Sequence, residues 1–324
     1  MADNDGQPEQ KSPKAQESAS AQTGILPPQH WTAHISHAAY EAGTAGGASA
    51  GADDDDDRDS ALGDDDASST ASLTSSILRY RTIHGRTFHS ERGNAQYCHH
   101  ALTLAIDGKL YLSPLQRDKI KVSLLPSDRT VPGSEIEDCT QSWTFPLAHF
   151  DYIHMRWLVG SIDDWYRLFQ QSFDALAPGG WLESYEMSTM WHSDDGSVTE
   201  HTALGQWGKI YIEGGRQSGR TFTVLDDELQ RKAMEAAGFV DIQERNIKQP
   251  IGRWPRDPRL KEIGEFTQLT LEQDAEGYLL FIANTLGWTR EQIMVYLAIF
   301  KREVRSGLYQ PYYRQKVVWG RKPE

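Results

Sequence analysis

The fold class predicted from the sequence is α/β: an open, largely parallel sheet with a helical C-terminal addition, behind a disordered acidic N-terminal tail. Three observations lead there. Residues 150–187 read as strand, helix, tight glycine turn and strand. Residues 258–305 carry helical periodicity and are followed by a last β segment. The acidic residues concentrate ahead of residue 76.

The tail comes first. Residues 1–75 hold 14 Asp and Glu against 3 Lys and Arg, so −11 of the formal −13 charge lies there. Asp53 to Asp57 form an unbroken run, followed by Asp59 and by Asp64 to Asp66. Large apolar residues are few beyond Trp31 and Tyr40, and such a segment cannot bury enough surface to offset its ordering entropy. It is expected to be a disordered, solvated tail; an acidic tail that binds a basic partner is the sharper alternative.

The rest of the chain is nearly neutral and shows no Lys/Arg excess, so it bears no nucleic-acid signature. Cys98 and Cys139 have no CxxC spacing and no secretory signal ahead of them, which points to a reduced intracellular compartment, nucleus or cytoplasm. No run approaches the ~18 apolar residues of a spanning helix, so no membrane partner is expected.

The folded part, 76–324, is read in order. Residues 76–97 mix aromatics and bases without a clear period. A short helix over His99–Asp107 ends at Gly108. Phe150, Tyr152, Ile153, Met155 and Trp157 mark a strand. Ser161 then stands as N-cap, with Asp163 and Asp164 in the first turn, where the helix dipole favours carboxylates. Ile162, Trp165, Phe169, Phe173 and Leu176 give that helix one apolar face. Pro178-Gly179-Gly180 stops it and turns the chain into a second strand over Trp181–Met187. A βαβ unit of this kind implies parallel strands. Further on, a helix over Asp226–Ala237 ends at Gly238 and a strand covers Phe239–Ile247. Thr289 to Gln292 fits a capping box opening an amphipathic helix, and Tyr312–Arg321 is a last, antiparallel β segment.

Taken together, the stretches SSILRYRTIHGRTFHSERGNAQY (75–97), HHALTLAIDGKLYLSPL (99–115), IEDCTQSWTFPLAHFDYIHMRWLVGSIDDW (136–165), ALAPGGWLESYE (175–186), WGKIYIEGGRQSGRTF (207–222), AAGFVDIQERNIKQPIGRWPRDPRLKEIGEF (236–266) and YYRQKVVWGRKP (312–323) resemble the LaeA-like methyltransferases of filamentous fungi. These are a branch of the class I S-adenosylmethionine-dependent superfamily. The resemblance implies a Rossmann-like sheet, S-adenosylmethionine as cofactor, and a role in secondary-metabolite production or its regulation. It also implies velvet-type regulators, or the biosynthetic enzymes of a metabolite cluster, as partners.

The family's first strand ends in an acidic residue and a G-x-G-x-G loop that lets the backbone approach the cofactor, at the usual ligand position of open α/β sheets. Here no two glycines lie two positions apart. The segment due to carry the first strand, its helix and the second strand is QRDKIKVSLLPSDRTVPGSEI, 21 residues between Leu115 and Glu137. A βαβ unit needs roughly 30. With two prolines the segment reads as a linker, with one remnant strand within Lys119–Leu125. A smaller gap falls at Tyr97–Cys98. The expected sheet is therefore truncated, and the Phe150 strand has lost a neighbour, leaving an edge for the linker or a partner chain to cover.

Carried over from the family, Glu137 and Asp138 would accept the adenine amine; the bland reading is a solvated turn. Gln96 and Tyr97 match a lid region in which an aromatic covers the cofactor, or they simply pack. His154, beside Met155 and Arg156 at the expected cleft mouth, is the candidate general base or else a satisfied core histidine. Glu183, Tyr185 and Glu186 either face an acceptor or cap loops. His84, His89, Cys98, His99 and His100 fit no zinc spacing, so no metal is expected. Gly214, Gly215 and Gly219 are read as a turn rather than a phosphate loop, and Trp143, Trp157, Trp165 and Trp181 as core. The combined reading is a LaeA-like family protein that is auxiliary or non-catalytic, a pseudoenzyme. The alternatives are an active methyltransferase, completed by a partner or by an exon missing from the sequence, and a regulatory binding module.

Overall fold

A computed structural model describes residues 24–33, 92–115 and 138–324, together with the short strands 82–83, 86–87 and 123–124; side chains are described for 24–33, 98–115 and 138–324. Two short strands, β1 (Thr82–Ile83) and β2 (Arg86–Thr87), pair antiparallel by themselves. The main sheet has the order β3-β4-β5-β7-β6, built from β3 (Ser123–Leu124), β4 (Phe150–Arg156), β5 (Leu176–His192), β6 (Val240–Pro250) and β7 (Tyr312–Arg321). β3, β4 and β5 run parallel, and β7 is antiparallel to both of its neighbours. The α/β class, the βαβ unit and the antiparallel last strand all hold. Ser123 and Leu124 pair with Tyr152 and Ile153, so linker residues lie along the β4 edge that the truncation exposes.

The helix of the βαβ unit, α3 (Trp165–Ala175), begins later than Ser161. Asp164 is its N-cap, accepting from the Arg167 amide at 2.9 Å. Ser161 instead closes a turn onto Leu158 O, and Arg220 holds the carbonyls of Gly160 and Ser161. Trp165, Leu168, Phe169 and Ser172 form the buried stripe at helical spacing. Pro178–Gly180 is absorbed as a bulge at the start of β5: Phe150 pairs with Leu176, yet Tyr152 pairs with Trp181. Gly179 has φ +78° there, a conformation glycine takes without a Cβ penalty.

Alternation places the two faces. Ile153, Met155, Leu182 and Val318 pack under α3 and α5 (Leu229–Ala237). Tyr185 and Val317 face Leu102 on α2 (Arg92–Ala105) and Ile106 just after it. α2 starts earlier than the predicted His99 and closes at Gly108. α5 starts at Leu229 rather than Asp226, after a turn in which Glu228 has φ +54°. α4 (Ala203–Ser218), α6 (Pro258–Thr285) and α7 (Arg290–Arg305) build the helical addition. The capping box of Thr289 and Gln292 on α7 is formed in full.

Two expectations need correction. Gly214 and Gly215 lie inside α4, not in a turn; a Cβ on Gly214 would sit 2.6 Å from Ile282, so the missing side chain permits close packing on α6. Gly219 is the αL C-cap of that helix. The N-terminal tail is also not uniformly without structure. Residues 28–33 form a short helix, α1, and Ile25 and Trp31 are buried in the core made by α4 and α7. Trp31 is 1% exposed, and the Gly24 carbonyl accepts from Gln206 and Lys209. Burying each such side chain is worth about 1.5–3 kcal/mol, enough to anchor a short segment that composition alone marks as solvated.

Candidate functional site

β4 ends at Arg156, and the next residue, Trp157, has φ +57°. A bulky side chain in the left-handed region costs roughly 1–3 kcal/mol and persists where its surroundings over-determine it. Those surroundings are visible. The Trp157 amide donates to Tyr185 O at 2.9 Å, and the Leu158 and Val159 amides donate to the two carboxylate oxygens of Glu186, each at 3.0 Å. Gly160 has φ +74°, and a Cβ there would lie 2.2 Å from the Phe222 ring. Burial pushes the Glu186 carboxyl up to about 8, against the pull of the two amides.

The loop so fixed forms one wall of a cavity of about 240 Å³ at the carboxyl end of β4 and alongside the last residues of β5. Trp157 and Val159 come from the loop, Thr189 and Trp191 from β5, and Trp207 and Tyr211 from α4. Cys98 on α2 and Thr267 and Thr270 on α6 close the other side. Among the described residues, no charged side chain lines it. Burial raises the Cys98 thiol to about 11, against a smaller pull from Arg156, so the thiol is a poor nucleophile.

The residues singled out from the sequence lie elsewhere. His154 is buried and does not line that cavity. Its Nδ1 is 3.0 Å from the Tyr152 hydroxyl and 3.4 Å from Glu183 Oε1. Oε2 of Glu183 accepts from the Leu112 amide and from both the amide and the hydroxyl of Ser113, at 2.6–2.8 Å. Glu183 therefore ties the segment after α2 to the sheet rather than facing an acceptor. Met155 points to the opposite face, and Arg156 reaches His99 at 3.1 Å. Tyr185 donates to Gln315, and Glu186 holds the loop, so neither lines the cavity. Trp157, Trp191, Trp207 and Tyr211 were missed. Trp207 and Tyr211, four apart on one helix, were the available signal.

Asp138 is exposed, and its Oδ1 accepts from the hydroxyl and amide of Thr140 at 2.6 and 2.9 Å. Those bonds lower its carboxyl below the usual range. Tyr97 lies in α2 and Gln96 beside it, their side chains outside the described residues; Glu137, His84 and His89 also fall outside them. His100 stands edge-on to Phe266, and among the described residues no three potential metal ligands converge. Among the described residues Asp138 is turned into its own loop, and the sequence holds no G-x-G pair of glycines.

A family model described as "Methyltransferase domain" matches residues 111–244. The chain is 30% identical to methyltransferase pytC of Aspergillus terreus over 275 residues, which cover 71% of this chain and 84% of that protein. It is 30% identical to the secondary metabolism regulator LAE1 of Gibberella fujikuroi over 210 residues, 64% of this chain and 66% of that one. Among solved structures, phosphoethanolamine N-methyltransferase 2 of Haemonchus contortus, in complex with phosphomonomethylethanolamine and S-adenosylhomocysteine, matches with a TM-score of 0.33 at 20% identity, over 58% of this chain and 36% of that one. A relative 30% identical and aligned along 84% of its length assigns the chain: it belongs to the LaeA-like fungal methyltransferase family, although no two of its glycines stand two positions apart.

Proposed function

We propose that the protein is an auxiliary, non-catalytic member of this family, serving fungal secondary-metabolite biosynthesis or its regulation through protein contacts. One observation carries the reading: 21 residues between Leu115 and Glu137 replace the segment that would grip the methyl donor. Methyl transfer asks little of a protein beyond holding donor and nucleophile in line, so a chain that cannot hold the donor loses most of its contribution. Velvet-type regulators or the enzymes of a metabolite cluster are the proposed partners, and the acidic run 53–66 the contact. Titration calorimetry with S-adenosylmethionine tests the first part, and low-micromolar binding overturns it. Deleting 53–66, which spares the anchored 24–33, tests the second: unchanged copurifying partners count against that contact.

A second reading, an active enzyme completed by a partner, is favoured by the cavity at the carboxyl end of β4. Methylation of a metabolite by the purified chain alone, from radiolabelled donor, rejects the first reading. Methylation that needs an added partner supports the second.

A further inference from the structure

We infer that the cavity bounded by α2, α4, α6 and the Trp157 loop is a binding site for an uncharged aromatic hydrocarbon group of about ten carbon atoms. The size follows from the volume. An apolar protein cavity of about 150 Å³ takes up benzene, so the volume of about 240 Å³ here suits two fused rings. The wall sets the kind of surface. Trp157, Trp191, Trp207, Tyr211 and Phe222 all contribute to it. Aromatic pairs attract both edge-on and in offset stacks, so such a wall favours an aromatic guest whichever way its own rings are turned.

The polar groups of the wall decide against a charged guest. Among the described residues no Lys, Arg, Asp or Glu lines the cavity. Burial raises the Cys98 thiol to about 11 and the Tyr211 and Tyr313 phenols well above their ordinary range, so none of them supplies a counter-charge near neutral pH. The hydroxyl donors of the wall are spent within the protein. Thr267 donates to Ile263 O at 2.8 Å and Thr270 to Phe266 O at 2.9 Å. Tyr211 donates to Tyr278 O at 2.7 Å, and Thr189 to Phe222 O at 3.4 Å. An ion entering such a site would lose its hydration and gain no partner. The backbone holds the space in shape. Trp157 keeps its φ of +57°, and Gly160 admits the Phe222 ring where a Cβ would lie 2.2 Å away; both aromatic residues line the cavity. Strain of this kind clusters at ligand sites, where it keeps a wall in position. The assignment goes beyond the function proposed above: it requires no methyl donor and holds for a catalytic and a non-catalytic chain alike.

Methionine methyl groups report on the site, because Met187 lines the cavity whereas Met155 and Met234 lie in the core under α3 and α5. The full chain with isotope-labelled methionine methyls, assigned with the help of Met187→Leu, is titrated with naphthalene and separately with naphthoate, in the absence of S-adenosylmethionine. Naphthalene is expected to shift the Met187 resonance through its ring current and to leave those of Met155 and Met234 in place. Naphthoate, the same rings with a carboxylate, is expected to bind at least ~10-fold more weakly. Ala101→Leu and Thr270→Leu, which fill the cavity from α2 and α6, are each expected to weaken naphthalene at least ~10-fold. Thermal melting establishes that each variant is folded. No Met187 shift up to the solubility limit of naphthalene, an equal shift at Met155 or Met234, equal binding of naphthoate, or unchanged affinity in either folded variant overturns the assignment. If neither variant folds, the naphthoate comparison on the unaltered chain decides it. Failure of donor binding in calorimetry leaves this site untouched, so the two outcomes are read separately.

Discussion

Val159 donates its amide to Glu186 Oε2 at 3.0 Å, and this carboxyl is fully buried. Burial raises the folded carboxyl to about 8, above the ordinary value of 4.5. Between those values the folded state holds a proton that the unfolded chain has released, so stability falls as pH rises. The contribution is fully present below the ordinary carboxylate range and lost as pH passes through about 8. Urea unfolding from about pH 5 to pH 9 is expected to show the wild type losing a few kcal/mol more than Glu186→Gln. Parallel pH profiles would refute the buried acid.

Trp31 stands edge-on to Tyr296, ring centroids 5.2 Å apart. Trp31→Ala should cost about 3–5 kcal/mol, the usual penalty for emptying a buried aromatic site. Chemical denaturation measures it; a change within about 0.5 kcal/mol would mean the segment is not docked in solution.

Gly160 combines a left-handed backbone with the Phe222 ring against its missing Cβ. Gly160→Ala is expected to destabilise by roughly 1–3 kcal/mol. If the ring is the obstacle, Phe222→Ala in the Gly160→Ala background costs less than in the wild type. A double-mutant cycle with no coupling rejects the clash.

Asp138 accepts from Thr140 and is exposed. A strain carrying Asp138→Ala should keep the wild-type metabolite profile while a deletion strain changes it. Matching profiles in the two strains would instead place chemistry at that carboxylate.

Much of the fold was legible because its signals are local. The capping hydroxyl of Thr289 and the side chain of Gln292 lie one helical turn apart, and β7 ends at the residues read from alternation. Ser161 misled because its place is set by Arg220, 59 positions away in sequence, which holds its carbonyl in a turn. Gly214 misled because its smallness serves a contact with Ile282 rather than a turn. Of the cavity, only the four-residue spacing of Trp207 and Tyr211 was legible. Trp157 reads as a strand residue until its positive φ turns it toward Trp191 and Trp207, and no spacing rule links those three positions.

β7 lies between β5 and β6, although it is translated after both. Tyr185 and Gln315, bonded across that seam, are separated by 130 residues. On the ribosome, β5 and β6 must therefore wait with unpaired backbone until residues 312–321 emerge, an interval in which strand edges invite aggregation. A nascent chain stalled just before Tyr312 should depend on chaperones in a way that the released protein does not.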